Sequence, residues 1–282
     1  MISAYLELSR PINGLIALFS VYLGATFAIG IGEWVVVTNI DVFLAASSAF
    51  LLLSAGNALN DYCDYEIDRI NKPGRPIPSA RISRHSAMVF SIILMGLGIL
   101  LGFAVNVPTA VITVIVSGCL FFYAFCLKQT PLFGNLLVGV LTGLTFIVGG
   151  TSVKTVYGTF VPAVFAFLFT TAREIIKDIE DMEGDVRHNA RTIPIVWGKR
   201  VAVLVALIFI TAVILFSPIP YLLNWYSWHY LLTVIVGVDL VLIYLGYRLW
   251  RNDSKVNSAK IQKWMKWDIF IGLGAIYLGS SP

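Results

Sequence analysis

Asn60, Asp61, Asp64 and Asp68 follow an apolar run at helical spacing, and Asp178, Asp181 and Asp185 repeat the arrangement later in the chain. At about 100° per residue, Asn57, Asn60, Asp61, Asp64 and Asp68 share an arc of roughly 100°, while Glu66 points away. The same projection puts Glu174, Asp178, Asp181 and Asp185 within roughly 60°, with Glu180 and Glu183 elsewhere. Such oxygen-rich stripes need compensating cations or protons, because clustered carboxylates repel one another and are costly to desolvate. Hard divalent ions suit them: Mg²⁺ takes a few carboxylates and completes its octahedron with water and phosphate oxygens. An Asn in the stripe adds a neutral ligand. With Lys and Arg close by, two such stripes make a place for a diphosphate, gripped by metals on one side and cations on the other.

The two regions also share a weak repeat. Each acidic helix end leads to basic residues and then to a similar tetrapeptide, "RPIP" at Arg75 to Pro78 and "RTIP" at Arg191 to Pro194. A duplicated four-helix unit, about 41–150 and 158–280 with the first helix extra, places the stripes in corresponding positions, facing each other across a central cavity. Snorkelling acids in loop salt bridges would need no common face. Cys63, Cys119 and Cys126 lack paired spacing, and His85, His188 and His229 lie far apart, so neither a disulfide framework nor a zinc site is expected.

The elements that must position these acids are membrane helices. The chain of 282 residues is 58% hydrophobic and 13% charged, with a mean hydropathy of +0.83, against about 25% charged in soluble domains. Apolar runs long enough to cross a bilayer, about 20 residues each, fall near 11–30, 41–60, 86–105, 108–127, 132–150, 158–177, 201–218, 228–249 and 264–280. The reading is an all-α polytopic membrane protein of nine transmembrane helices, its first run a retained helix with no signal-peptide cleavage pattern. With the N-terminus cytoplasmic, every basic residue of the 20 except Lys154 lies on the cytoplasmic side. The active-site loops are then cytoplasmic and the C-terminus external. The +4 net charge is a topology signal and gives no reason to expect nucleic-acid binding.

On these residues the chain resembles the UbiA superfamily of intramembrane prenyltransferases over nearly its whole length. The family's NDxxDxxxD motif reads as Asn60, Asp61, Asp64 and Asp68; a DxxxD variant reads as Asp181 and Asp185, with Asp178 one turn earlier. "YAFCLK" at Tyr123 to Lys128 is similar to a YxxxK-type element, differing by one residue, and "LSRPING", with Arg10 and Asn13, matches an RPxN element. "NKPGRPIPSARIS" and "KDIEDMEGDVRHNARTIP" look most like the archaeal branch that makes ether lipids, with Ala80 standing where that branch leads one to expect glycine.

The resemblance implies Mg²⁺-dependent transfer of a geranylgeranyl group from its diphosphate to the hydroxyl of geranylgeranylglyceryl phosphate. Asn60, Asp61, Asp64, Asp68, Asp178, Asp181 and Asp185 would hold the metal, with Asp64, Asp68, Asp181, Asp185 and Lys128 central to catalysis. Lys128, Lys72 and Arg75 would complete the diphosphate clamp; Asn57, Tyr123 and Arg191 join the substrate-binding candidates. Arg10, with Asn13, either binds the acceptor phosphate or anchors the first helix at the headgroups. Tyr62, Tyr65 and Tyr123 could ease an allylic cation or simply pack. The Gly-rich run from Gly134 to Gly150 serves close helix packing or makes room for a prenyl tail. An aromatic or quinone-precursor acceptor would leave the donor motifs unchanged. A secondary transporter, the alternative from another class, would place its carboxylates near the midplane and reachable from both sides.

Overall fold

The computed structural model describes residues 2–30, 35–128, 130–187 and 190–280, and the regular elements among them are all helical. His188 lies outside the described residues. Contacts divide the chain into two units, Met1–Ile29, Glu33–Lys128 and Leu144–Thr159 forming the first, and Gly30–Gly32, Gln129–Gly143 and Phe160–Pro282 the second.

The first unit opens with α1 (Ile2–Ser9), α2 (Pro11–Ile29) and α3 (Val35–Thr38). Arg10 joins α1 to α2 with φ +49, and Pro11 begins the new helix, where its missing N–H costs nothing. The long α4 (Ile40–Cys63) starts at Asn39, whose side chain accepts from the Asp41 and Val42 amides. Its buried face is built from small residues, among them Ala45, Ala46, Ser48, Ala55, Gly56 and Ala58. That lets α6 (Arg84–Val105), which follows the short α5 (Tyr65–Asn71), approach closely. Ser48 Oγ donates to the Gly98 carbonyl at 2.6 Å and Ser91 Oγ to the Ala55 carbonyl at 2.8 Å. Asn106 ends α6 and caps α7 (Val107–Phe122), which passes into a π-helical turn, Tyr123–Leu127.

Helix α8 (Phe133–Ser152) contributes to both units, its second half to the first. There α8 meets α2 backbone to backbone: a Cβ on Gly149 would lie 2.1 Å from the Val21 carbonyl oxygen, and one on Gly24 would lie 2.2 Å from that of Phe146. The Gly-rich run therefore serves close packing at this point.

The second unit holds α9 (Phe160–Arg187), α10 (Ile193–Val196), α11 (Lys199–Phe216), α12 (Ile219–Leu222), α13 (Trp228–Val234), a π-helical turn at Ile235–Asp239, α14 (Leu240–Arg251) and α15 (Lys255–Gly279). Helix α9 packs on α11 and α15, and its Ala172, Ile175, Ile176 and Ile179 are buried. The end of α15 meets the start of α13, where the Ser227 amide donates to the Gly279 carbonyl at 3.0 Å. Ser217 Oγ donates to Asp239 at 2.7 Å, and Tyr230 donates its hydroxyl proton to the Ser217 carbonyl at 2.7 Å.

Seven helices among the described residues are long and apolar enough to cross a membrane. Their exposed faces carry residues such as Ile93, Leu100, Phe103, Ile208 and Leu232, which water would not tolerate as a continuous surface. The nine spans expected from the sequence thus meet seven on length and apolarity. The helices over the other two runs, α9 and α15, are too charged: α9 ends in Arg173, Glu174, Lys177 and the second acid group, and α15 carries Lys255, Lys260, Lys263, Lys266 and Asp268.

The glycine contact gives a direct test of the first unit. Gly149→Val should destabilise the detergent-purified protein by about 3 kcal/mol, the upper range for overpacking, because backbone rather than a mobile side chain blocks the new atoms. Gly118→Val, where nothing lies within 4 Å of the added Cβ, should leave the unfolding midpoint within a degree or two, ~0.5 kcal/mol. Equal midpoints for the two variants would refute the contact.

Candidate active site

In the first unit the acids are held by cations from three different elements. Asp61, on the last turn of α4 and 4% exposed, accepts from Arg10 Nη2 at 2.5 Å and from Arg75 Nη1 at 3.2 Å, both on Oδ1. Asp68, on α5 and 3% exposed, accepts from the same Arg75 nitrogen at 2.5 Å. Asp64 pairs with Lys128. Asn57 donates from Nδ2 to the Ser9 carbonyl at 3.2 Å, tying α4 to the end of α1 just before Arg10.

Arg75 owes its position to the loop that carries it. Ile77 and Ile82 are buried against Ala4, Leu8, Ala58 and Ala87, an apolar cluster beneath the loop. Above it the Arg75 carbonyl accepts from the Ser79 amide at 3.0 Å and the Ser79 hydroxyl at 2.6 Å. Arg81 donates to the Gly74 carbonyl at 2.7 Å and pairs with Glu7 at 2.8 Å. Ala80 has φ +56, in the left-handed region that favours glycine. The glycine expected from the resemblance therefore has a conformational reason, and Ala80 takes the same turn.

Lys128 owes its position to the π-helical turn. Its amide donates to the Tyr123 carbonyl at 2.9 Å, a five-residue step. That step accommodates the one-residue difference between "YAFCLK" and the YxxxK spacing. Tyr123 is half-buried at the start of the turn.

The continuous stripe read from helical projection is corrected at one point. The helix is broken at Asp64, φ −81 and ψ 4, where α4 gives way to α5. Asp61 and Asp68 still share a cation across the break, whereas Asp64 turns to a different one. The tyrosines on either side are also reassigned: Arg84 lies over the rings of Tyr62 and Tyr65, 4.5 and 5.6 Å from their centroids, so these faces already have a cation. Lys72 is exposed at the end of α5, and Asn13 is half-buried in the first turn of α2.

Within the second unit, Asp178 accepts from Asn135 Nδ2 of α8 at 2.9 Å. Glu174, which shares the projected stripe, is bound to Arg173 at 2.7 Å and Lys177 at 3.4 Å. Glu180 and Glu183, off the stripe, reach α15, accepting from Gln262 at 2.8 Å and Lys255 at 3.4 Å. Asp181 is exposed; Asp185 accepts the Ala190 amide on its backbone carbonyl at 3.1 Å. In "RTIP", Ile193 and Pro194 are buried while Arg191 is exposed.

These donor sets fit a hard cation by their chemistry, being carboxylates and amides without sulfur or imidazole. One atom adds to that fit: Asn60 Oδ1 is buried with no hydrogen-bond partner, an acceptor oxygen of the kind a cation satisfies. Among the described residues no three His, Cys, Asp or Glu side chains converge in one metal-ligating group; in the first unit, Arg10, Arg75 and Lys128 lie against the carboxylates instead. Sequence reasoning missed Asn135, although a lone Asn in an apolar run signals a buried polar partner. It also read Arg84 as a loop charge only, and nothing in the spacing marks its contact with the two tyrosines.

A model of the UbiA prenyltransferase family matches residues 17–270. The chain is 40% identical over 276 residues to the digeranylgeranylglyceryl phosphate synthase of Methanosphaera stadtmanae, covering 98% of each protein. A solved digeranylgeranylglyceryl phosphate synthase structure superimposes with a TM-score of 0.83 at 33% identity, covering 99% of this chain and 98% of that one. A UbiA homologue from Archaeoglobus fulgidus, bound to DMAPP and Mg²⁺, shares the fold with a TM-score of 0.69 at 16% identity, over 96% of this chain and 98% of that chain.

The shared arginine makes the cluster testable for stability. Removing one partner of a buried pair costs about 3–5 kcal/mol because a charge is left uncompensated. Arg75→Ala should show a loss of that size in thermal unfolding, since it strips a partner from Asp61 and Asp68 together. Lys72→Ala, at an exposed position, should cost ~0.5 kcal/mol or less. Asp68→Asn in the Arg75→Ala background should recover part of the loss; if Arg75→Ala proves as mild as Lys72→Ala, the cluster is not as described.

Proposed function

The chain belongs to the UbiA prenyltransferase family, and from that premise we propose that it transfers a geranylgeranyl group from geranylgeranyl diphosphate to the free hydroxyl of geranylgeranylglyceryl phosphate. The product carries the second ether bond of an archaeal membrane lipid. The observation that carries this reading is similarity from end to end: 40% identity across 98% of this chain and 98% of a digeranylgeranylglyceryl phosphate synthase. A substrate set is more readily inherited when the whole fold is matched than when one motif is.

In this reading Asn60, Asp61, Asp64 and Asp68 form one donor set for Mg²⁺, and Asp178, Asp181 and Asp185 another. The unpartnered Asn60 oxygen supports the first; the Mg²⁺ and DMAPP bound by the Archaeoglobus fulgidus homologue support the metal. When bound, Mg²⁺ neutralises the negative charge that builds on the departing diphosphate. The protein's own cations contribute to the same neutralisation, Lys128 and Arg75 orienting diphosphate oxygens, with Lys72 and Arg191 at the loop surfaces. Arg10, Asn13, Asn57 and Tyr123 complete the substrate contacts, Arg10 serving the acceptor phosphate.

The allylic carbon–oxygen bond breaks with its electron pair leaving on the diphosphate. The acceptor hydroxyl oxygen then forms the new carbon–oxygen bond and gives its proton to a carboxylate of the acid sets. A developed allylic cation needs little help from a general base, so stabilising the departing diphosphate is the main catalytic task. The distribution of Lys and Arg supports acid sets and N-terminus on the cytoplasmic side and an external C-terminus.

Purified protein incubated with Mg²⁺, radiolabelled geranylgeranyl diphosphate and either geranylgeranylglyceryl phosphate or 4-hydroxybenzoate should label the glycerol phosphate lipid, and EDTA should stop the reaction. Asp64→Ala and Asp181→Ala should each lower kcat about 100-fold or more, the scale on which charge-stabilising groups act. Labelled aromatic product with none from the glycerol phosphate would sink the acceptor assignment.

A further inference from the structure

We propose that Arg84 is a positioning residue for Asp64, holding open the break between α4 and α5 that aims this carboxylate. On either side of the break the backbone is helical: the Asp64 amide donates to the Asn60 carbonyl and the Asp68 amide to the Asp64 carbonyl, each at 2.8 Å. Between them α4 ends at Cys63 and α5 begins at Tyr65. The Tyr62 carbonyl, on the last turn of α4, accepts from Arg84 Nε at 3.2 Å. The same guanidinium lies over the rings of Tyr62 and Tyr65, which flank Cys63 and Asp64. One side chain from the first turn of α6 therefore grips the carbonyl at the end of one helix and an aromatic ring on each side of the junction.

Its partners are a carbonyl and two rings, none of them a carboxylate, which distinguishes Arg84 from Arg10, Arg75 and Lys128. The consequence for the acids is specific. On an unbroken helix Asp61, Asp64 and Asp68 share one arc. With the break, Arg75 bridges Asp61 and Asp68 while Asp64 pairs with Lys128. Guanidinium chemistry is required, because a planar fork donates in its plane while its faces stack on aromatic rings; an ammonium cannot do both.

The inference rests on the reading of Asp64 as a metal ligand, and the test separates the two. Mn²⁺ binding to the purified, substrate-free protein would be titrated by the electron paramagnetic resonance signal of free Mn²⁺, alongside the Mg²⁺ dependence of turnover, for wild type, Arg84→Lys, Arg84→Ala, Tyr65→Leu and Asp64→Ala. Size-exclusion profiles and unfolding midpoints would establish that each variant folds. Residues that orient a ligand typically change metal affinity 10–100-fold. Arg84→Lys and Arg84→Ala should therefore both weaken Mn²⁺ binding about 10-fold, with turnover largely restored at saturating Mg²⁺. Tyr65→Leu should move in the same direction. Wild-type binding in Arg84→Lys with loss in Arg84→Ala would mean that charge alone matters and would overturn the proposal. Wild-type binding in both, with Asp64→Ala impaired, would overturn it while leaving the metal reading intact. Unimpaired Asp64→Ala would remove the metal reading itself, and this inference with it.

Discussion

Two carboxylates taken almost out of solvent at the end of a membrane helix must be neutralised, and the rest of the first unit is arranged around that requirement. Desolvating an ion costs several kcal/mol even after relaxation, and the attraction of a partner offsets this only when geometry and hydrogen bonding are good. Asp61 and Asp68 meet the condition by sharing Arg75, with Arg10 added on Asp61. Each cation needs its own support. Arg10 sits where α1 turns into α2, a junction fastened by Asn57; Arg75 sits on a loop pinned by Ile77 and Ile82; Lys128 ends a π-helical turn. Short elements that look irregular in isolation are the scaffolding of four ion pairs made by three cations.

The close packing of α4 belongs to the same constraint. Its buried small residues bring α6 near enough for serine hydroxyls to reach across to carbonyls. Arg84 starts that neighbouring helix, so the approach that buries α4 also delivers a guanidinium to the break beside Asp64. Packing and charge placement are here two outcomes of one set of residue choices.

Much of this was legible in the sequence. Apolar runs found the long helices and helical spacing the two acid groups, and the family resemblance singled out Lys128 and the RPxN element. What escaped were the departures from regular geometry. A projection at constant angle cannot show that the helix is interrupted at Asp64 or that Tyr123–Leu127 winds as a π-turn, because it assumes one regular twist throughout. Of the nine spans expected, α9 and α15 are the two that do not meet length and apolarity among the described residues. Each carries an apolar stretch of nearly the expected length, but the charges at the end of α9 and along the first half of α15 leave neither with a long enough uncharged window. Ala80 lies between these cases: the sequence marked the position, and only its positive φ supplied the physical reason.

The two tetrapeptides, similar in sequence, are alike in one respect and different in another. In both, the isoleucine is buried, Ile77 at 4% and Ile193 at 0% exposure, so each anchors its loop by an apolar side chain. The arginines differ: Arg75 is committed to two carboxylates, whereas Arg191 is exposed. The acids differ accordingly, since Asp178 is held by the neutral Asn135 and the first set by full positive charges. A diphosphate approaching Arg75 must compete with two buried carboxylates, which cannot be left uncompensated. In the proposed reaction, a divalent cation bound to those carboxylates would release the guanidinium for the phosphate, so metal and diphosphate would each strengthen the other's binding, as linkage requires. The two loops thus share an anchoring isoleucine, while the electrostatics around each arginine is set by its own neighbours.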